Sequence, residues 1–104
     1  MAVAEIKIWP VGTSDASIAP YIRECFRLAE ESQEVEAVLT PTSTVLDGPL
    51  SAILALADQM HHAPFGLGAD RVLTSITIDE RLDKETDMEE MVDSVLNDED
   101  GPGI

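Results

Sequence analysis

Two strand–helix–strand segments of similar size follow one another along the chain, and this order constrains the fold most strongly. Residues alternate between apolar and polar over 5–9 and 35–40 in the first segment, and over 43–46 and 71–79 in the second. Apolar residues recur at helical spacing between the two strands of each segment. We therefore predict an α+β ferredoxin-like βαββαβ sandwich, with both helices on one face of an antiparallel four-stranded sheet.

Local signals indicate where the two helices begin and end. Ser17 is the expected N-cap of the first helix, with Pro20 in its first turn. The run Asp47-Gly48-Pro49 favours the start of the second helix, which Pro64 and Gly66 should close.

A third helix is expected at the C-terminal end of the domain. Thr86 and Glu89 have the spacing of a capping box, and the apolar stripe that follows is Met88, Met91, Val92 and Val95. We predict a single domain over residues 1–97. Residues 98–104 are acidic and rich in glycine and proline, and we expect them to form a disordered tail.

The charge of the chain excludes several classes of function. The formal net charge is −15 on 104 residues, with 21 acidic and only 6 basic side chains. Contact with nucleic acid or an anionic membrane needs cations that this chain lacks, so neither is expected as a partner. A hydrated carboxylate surface is typical of proteins adapted to high salt, where short Debye lengths screen the self-repulsion. A cationic small molecule would be attracted.

Several features predict a cytoplasmic protein. The chain has no apolar run of the ~18 residues that could span a bilayer, and its N-terminus lacks the pattern of a signal peptide. The lone Cys25 fits a reducing compartment, and its position on the inner face of the first helix predicts core packing rather than nucleophilic catalysis.

One face of the predicted sheet should be bare. A face of mixed polarity that the helices leave open usually contacts another copy of the same chain, so we expect a homo-oligomer. Trp9, at the end of this face, would pack in a dimer seam or, alternatively, stack on a ligand cation. The open face should carry Glu5, Lys7, Trp9, Val38, Ser75, Thr77 and Asp79.

Other candidate groups have structural as well as functional interpretations. Adjacent His61 and His62 point about 100 degrees apart on a helix and cannot chelate one ion, so a structural role is favoured and no metal site is predicted. Asp79 and Glu80 could serve general acid–base catalysis, but such a pair is expected by chance among 21 acidic residues.

Hydroxyl groups cluster where the second predicted strand passes into the third. Thr40, Thr42, Ser43 and Thr44 surround Pro41 in this corner. These hydroxyls could bond to the nearby backbone and fix the turn. They could equally offer neutral donors and acceptors to the edge of a heterocycle.

Five sequence segments together resemble the small thiamine-binding-protein family over nearly the whole chain. They are 10–13, 41–45, His61 with Phe65 and Gly68, 71–72, and 78–84, which has the form Ile-Asp-x-Arg-x-Asp-Lys. The resemblance implies a ferredoxin-like fold whose sheets pair into dimers that associate as tetramers. It also implies binding of thiamine or its pyrimidine part by a protein that is not established as an enzyme.

The chain departs from the family pattern at two places. Thr42-Ser43 stands where members often have Met-Gly, and Met91 stands where they usually have lysine. The first difference changes the loop nearest the expected pocket. The second agrees with the general depletion of lysine.

The open-face alternation and the resemblance together suggest a homo-oligomeric, non-catalytic binding protein for thiamine or its hydroxymethylpyrimidine moiety, most simply a dimer of dimers. No cofactor and no catalytic residue is assigned. We expect the pocket to close where two open sheet faces meet. The alternatives are an oligomeric interaction or regulatory protein without a small ligand, and a small enzyme that uses Asp79 or Glu80. The predicted ligand-binding residues are Glu5, Thr13, Ser43, Thr44, Ser75 and Asp79, and the predicted interface residues are Trp9, Arg71, Arg81 and Lys84.

Overall fold

A computed structural model of the chain describes residues 1–97. The predicted tail 98–104 lies outside the described residues. The order of elements is the predicted one, with the third helix after the second strand–helix–strand segment, and the α+β class is confirmed. The elements are β1 (Ala2–Pro10), α1 (Ala19–Glu31), β2 (Glu36–Leu39), β3 (Thr44–Gly48), α2 (Leu50–Gly66), β4 (Val72–Asp79) and α3 (Met88–Leu96).

The four strands form one antiparallel sheet in the order β2-β3-β1-β4. Strand β1 lies in the middle, where Ile6 is opposite Thr44 of β3 and Ile76 of β4. Strands β2 and β3 form a hairpin whose register runs from Glu36↔Asp47 to Leu39↔Thr44. This arrangement confirms the ferredoxin-like sheet.

The core lies between one face of the sheet and helices α1 and α2. Ile6 and Ile8 alternate with exposed residues along β1, and Leu46 of β3 is fully buried beside them. Ile53 and Met60 of α2 cover these strands. Each fully buried aliphatic side chain contributes ~1.5–3 kcal/mol, and no aromatic side chain is among the buried hydrophobic residues of the described part of the chain.

Helices α1 and α2 leave the other face of the sheet uncovered within the described part of the chain, and only its Asp47 end contacts the first turn of α3. All seven residues predicted for this face lie on it by register. Val38, Val45, Glu5 and Thr77 form one cross-strand row. The next rows contain Lys7 with Ser75, and Trp9 with Leu73. The face therefore mixes exposed apolar and charged side chains, as the alternation predicted.

The predicted caps of α1 and α3 are each wrong by one residue. Ile18 rather than Ser17 is the residue before α1, and the Ser17 hydroxyl lies 3.5 Å from the amide nitrogen of Ala19. Asp87 rather than Thr86 caps α3, because its Oδ1 accepts a hydrogen bond of 2.8 Å from the amide of Glu90. Aspartate is as good an N-cap as threonine, so spacing alone could not choose between neighbours.

Helix α2 ends at Gly66, as predicted, but Pro64 lies inside the helix instead of closing it. Proline has no N–H to donate to the carbonyl of residue i−4, here Met60. The thiol of Cys25 on α1 donates to this carbonyl oxygen instead, over 3.3 Å. The core position predicted for Cys25 is confirmed, and the thiol also satisfies a buried acceptor.

Asp47 has a role that the sequence did not indicate. It belongs to β3 rather than to the start of α2, which Pro49 caps. Its buried carboxylate accepts a hydrogen bond of 2.9 Å from the amide of Met88 and so holds the first turn of α3. Negative charge is favourable at a helix N-terminus. The apolar stripe of α3 is otherwise exposed, as at Val92 and Val95.

Candidate ligand-binding site

A cavity of about 670 Å³ opens where strand β3 begins beside β1. This volume lies within the range of small-molecule sites. Helix α1 contributes Ile18, just before its start, and Ile22, while Met60 of α2 closes the inner side. The β2–β3 turn forms the opposite wall. We call this cavity the notch, because it interrupts the sheet between β1 and the β2–β3 turn.

The wall of the notch is mostly aliphatic, with polar groups concentrated on the turn. Its polar part consists of Lys7 and the hydroxyls of Thr40, Thr42, Ser43 and Thr44. Lys7 is the one charged side chain among the described residues of the wall. An uncharged, partly apolar ring with a few hydrogen-bonding groups fits such a site.

Ser43 joins the turn to the central strand. Its hydroxyl donates to Oε2 of Glu5 over 3.1 Å and shares a hydrogen bond of 2.8 Å with the hydroxyl of Thr40. Thr40 Oγ1 also accepts from the amide of Ser43 over 3.0 Å. These bonds fix the corner, so the turn role proposed for these hydroxyls is present. They also orient Ser43 before any ligand arrives.

Thr44 and Glu5 each keep hydrogen-bonding capacity that the contacts of the turn do not use. Thr44 is mostly buried on the helix-facing side of the sheet, and its hydroxyl, which makes no hydrogen bond within residues 1–97, is not fully enclosed. Glu5 lies 3.9 Å from the ammonium group of Lys7 through its other carboxylate oxygen. The lysine charge next to the notch is therefore partly offset by the same carboxylate that orients Ser43.

The structure brings together three of the six predicted ligand-binding residues. Ser43 and Thr44 line the notch, and Glu5 contacts it through Ser43. Thr13 lines a separate groove of about 330 Å³ with Pro20 and Leu67. Ser75 and Asp79 lie on the open sheet face, opposite Lys7 and Val3 respectively.

The predicted interface residues occupy different surroundings within the chain. Trp9 lies at the border between the notch and the open face and is 38% exposed. The backbone carbonyl of Arg71 accepts a hydrogen bond of 2.8 Å from Val11. Lys84 lies 3.6 Å from Glu90 of α3.

Arg81 forms an ion pair with Asp83 in the turn after β4. The hydrogen bond within this ion pair lowers the pKa of the Asp83 carboxyl and raises the pKa of Arg81. The mixed-charge turn is therefore held at least partly by contacts within one chain.

The histidines have structural partners. Nδ1 of His61 lies 2.6 Å from the hydroxyl of Thr74, which ties α2 to β4. His62 is exposed and contacts Asp58 one turn earlier. Within residues 1–97 no group of three or more His, Cys, Asp or Glu side chains could hold a metal ion.

Burial raises the pKa of the Cys25 thiol to about 11, and the nearby Glu24 charge adds to the effect. The thiol form is therefore dominant at neutral pH, although Cys25 borders the notch. The thiolate is the nucleophilic form, so this environment does not activate the residue.

Several residues of the notch were not predicted from the sequence. Ile18, Ile22, Leu39 and Met60 form its aliphatic wall. The sequence signal that could have located them is Pro41, because a proline corner stops the pairing of β3 with β1 and leaves these side chains without a covering strand.

No helix within residues 1–97 is both long and apolar enough to cross a membrane.

Comparison with known proteins identifies the family of the chain. Residues 4–96 match the family described as thiamine-binding protein. The chain belongs to the thiamine-binding protein family. This membership confirms the resemblance derived from the five sequence segments.

Individual relatives agree with this assignment. The UPF0045 protein YqgV of Bacillus subtilis is 38% identical over 98 residues, which cover 91% of this chain and 94% of the relative. The crystal structure of MJ1052 from Methanocaldococcus jannaschii matches with a TM-score of 0.83 and 31% identity, covering 90% of this chain and 94% of that one.

A more distant structure shows the same fold. The TM0486 protein of Thermotoga maritima, for which a role in thiamine biosynthesis or salvage has been proposed, matches with a TM-score of 0.71. It is 14% identical, and the match covers 93% of this chain and 96% of that one. The ferredoxin-like architecture is therefore common to sequences that have diverged widely.

Proposed function

We propose that this protein binds thiamine, or its hydroxymethylpyrimidine moiety, in the notch, without catalysing a reaction. Membership of the thiamine-binding protein family supports this ligand class. The notch itself supports the location of the ligand, because it combines an aliphatic wall with a turn of preorganised hydroxyls. The role proposed for the Thermotoga protein agrees with this ligand.

The chemistry of the notch fits an aminopyrimidine. Its ring faces would pack against Ile18, Ile22 and Met60, and its polar edge would be matched by Thr44 and Ser43. A buried hydrogen-bonding group left unmatched costs ~1–3 kcal/mol, so these hydroxyls would discriminate against rings with a different polar edge. Glu5, together with the net charge of −15, would offset the charge of the thiazolium.

We further propose that the protein works in the cytoplasm as a homo-oligomer that pairs its open sheet faces. One end of this face carries Lys7, with Arg71 just before β4, and the other end carries Asp79 and Glu36. A two-fold axis perpendicular to the strands would place the basic end of one copy over the acidic end of the other, which supports a self-complementary contact. The exposed apolar stripe of α3 would provide a second contact in a dimer of dimers.

The ligand proposal is tested by calorimetry with thiamine and with hydroxymethylpyrimidine, in molar KCl to match an acidic protein. We expect saturable binding by the natural chain. Ser43→Ala and Thr44→Val should weaken binding about 5-fold or more, since each removes a buried hydrogen-bonding group. Ser51→Ala, an exposed residue at the start of α2, is the control and should bind normally.

The same experiment separates the notch from a pocket between subunits. Ser75→Ala and Asp79→Asn should bind normally if the ligand lies in the notch. Thr13→Ala, in its separate groove, should also bind normally. Loss of binding in the Ser75 and Asp79 variants alone would place the ligand between open faces, and absence of heat with both ligands would remove the binding proposal.

The interaction-protein alternative makes a different prediction. An oligomer without a small ligand would give no thermal shift with either compound, yet would lose its assembly when the open face is charged. Light scattering of Val38→Lys, which adds a charge to an exposed position of that face, measures this directly. We expect this variant to weaken assembly in either case, so the calorimetric result decides between the two functions.

A further inference from the structure

Strand β1 is paired on both sides over only part of its length. Its ladder with β4 continues to Pro10↔Val72, whereas its ladder with β3 stops at Ile6↔Thr44. The register would place Thr42 opposite Ile8. Thr40 and Ser43 close the hairpin through a backbone bond of 2.8 Å, however, so Thr42 lies in the turn. The edge of β1 at Ile8 therefore borders the notch without a facing strand.

The direction of the Ile8 peptide groups follows from the ladder. The amide of Val11 donates to the carbonyl of Arg71 over 2.8 Å, in the same register as the β1–β4 ladder. Antiparallel strands alternate between hydrogen-bonded and non-hydrogen-bonded pairs. Trp9 and Lys7 therefore direct their N–H and C=O groups toward β4, and Ile8 directs both of its groups toward the notch.

Neither Ile8 group has a partner on β3, because the ladder stops at Ile6, and neither makes another hydrogen bond within residues 1–97. Ile8 is nevertheless only 6% exposed. Most buried backbone N–H and C=O groups in folded proteins are paired, and leaving them unpaired is costly. A shielded donor and acceptor that both face a cavity of ligand size are what a binding site requires.

We propose that the N–H and C=O of Ile8 bind the polar edge of the ligand ring. This inference rests on the proposed function and deepens it by specifying the ligand class. The donor and acceptor of one strand residue project side by side, as they do toward a paired strand. The matching ligand edge is a ring nitrogen that accepts next to an exocyclic amino group that donates. Aminopyrimidines carry this edge, and the hydroxyls of Ser43 and Thr44 lie on the same cavity wall.

A ring with an oxo group in place of the amino group presents the opposite pattern. Its protonated ring nitrogen would face the Ile8 N–H, and its oxygen would face the Ile8 carbonyl. Two mismatched buried pairs should weaken binding by about 10- to 100-fold relative to the aminopyrimidine. The notch would therefore select the amino compound by main-chain groups that no side-chain substitution removes.

The direct test replaces the Ile8 amide with an ester by chemical synthesis of the full chain, using the hydroxy-acid analogue of isoleucine. This change deletes the N–H and leaves the side chain intact. The matched control places the same ester at Ile76, whose N–H faces the outer edge of β4 by the same alternation. Each ester also weakens one carbonyl of the hydrogen-bonded Lys7–Ser75 pair, so the two variants perturb the sheet alike.

Calorimetry with hydroxymethylpyrimidine and its 4-oxo analogue measures the outcome. We expect the Ile8 ester to bind the amino compound about 10-fold more weakly than the natural chain, and the Ile76 ester to bind it normally. Equal affinity of the two esters would overturn the inference and leave the proposed function standing. A natural chain that binds neither pyrimidine would overturn both.

Hydrogen exchange of the natural chain provides a second measurement if the Ile8 ester does not fold. Saturating hydroxymethylpyrimidine should slow exchange of the Ile8 amide at least 10-fold more than that of the Ile76 amide. Equal slowing at the two positions would reflect general stabilisation by the ligand and would contradict the inference.

Discussion

Replacing Cys25 with alanine should destabilise the protein mainly through a carbonyl on another helix. Met60 cannot receive the usual helical hydrogen bond because Pro64 has no N–H, and the Cys25 thiol donates to it over 3.3 Å. Cys25→Ala leaves this buried acceptor unpaired at a cost of ~1–3 kcal/mol. Loss of the buried sulfur adds about 1 kcal/mol.

A double-mutant cycle isolates the hydrogen bond from the packing term. Pro64→Ala restores an N–H that can donate to Met60, so Cys25→Ala in that background should cost only the packing term of about 1 kcal/mol. The coupling free energy should be ~1–3 kcal/mol, which is the cost of the unpaired carbonyl. The assay is urea unfolding followed by circular dichroism in molar salt at pH 7. Additive effects of the two substitutions would refute the argument that the thiol replaces the missing N–H.

Three further predictions concern α3, pH and ligand charge. Asp47→Ala should lower the free energy of unfolding by ~1–2 kcal/mol, because it removes the acceptor of the Met88 amide. Urea unfolding measures this loss, and the exposed Asp70→Ala is the control, for which a similar loss would contradict the assignment. The Cys25 pKa, raised from 9.0 to about 11, contributes stability below pH 9 that is lost as the pH rises to 11. At pH 10 the difference in unfolding free energy between the natural chain and Cys25→Ala should have shrunk by about 1 kcal/mol relative to pH 8, and a constant difference would contradict it. Thiamine diphosphate should bind more weakly than thiamine in calorimetry, because Lys7 is the one cation of the described notch wall and lies near Glu5; tighter binding of the diphosphate would show that another cationic surface contributes.

The spacing of apolar residues was sufficient to predict the fold, because strands repeat every two residues and helices about every 3.6. The alternation of Ile6 and Ile8 with Glu5 and Lys7 assigned both faces of β1, and the register confirms them. Helix ends were less predictable. A proline can be tolerated inside a helix when a group from elsewhere satisfies the freed carbonyl, as Cys25 does for Met60.

The site was predictable only in part, for a similar reason. The hydroxyl cluster at Ser43 and Thr44 was visible in the sequence, and these residues do line the notch. The aliphatic wall of the notch depends on how α1 and α2 pack beside the N-terminal end of β3. The unpaired backbone of Ile8 depends on where two ladders stop, and side-chain patterns do not carry that information.

The most direct test of the account is a map of amide chemical shifts during titration of the isotopically labelled protein with hydroxymethylpyrimidine. We expect the largest changes at Ile8, Ser43 and Thr44, with little change at Asp79. Changes centred on Ser75 and Asp79, with Ile8 unaffected, would contradict the claim that the ligand occupies the notch of a single chain.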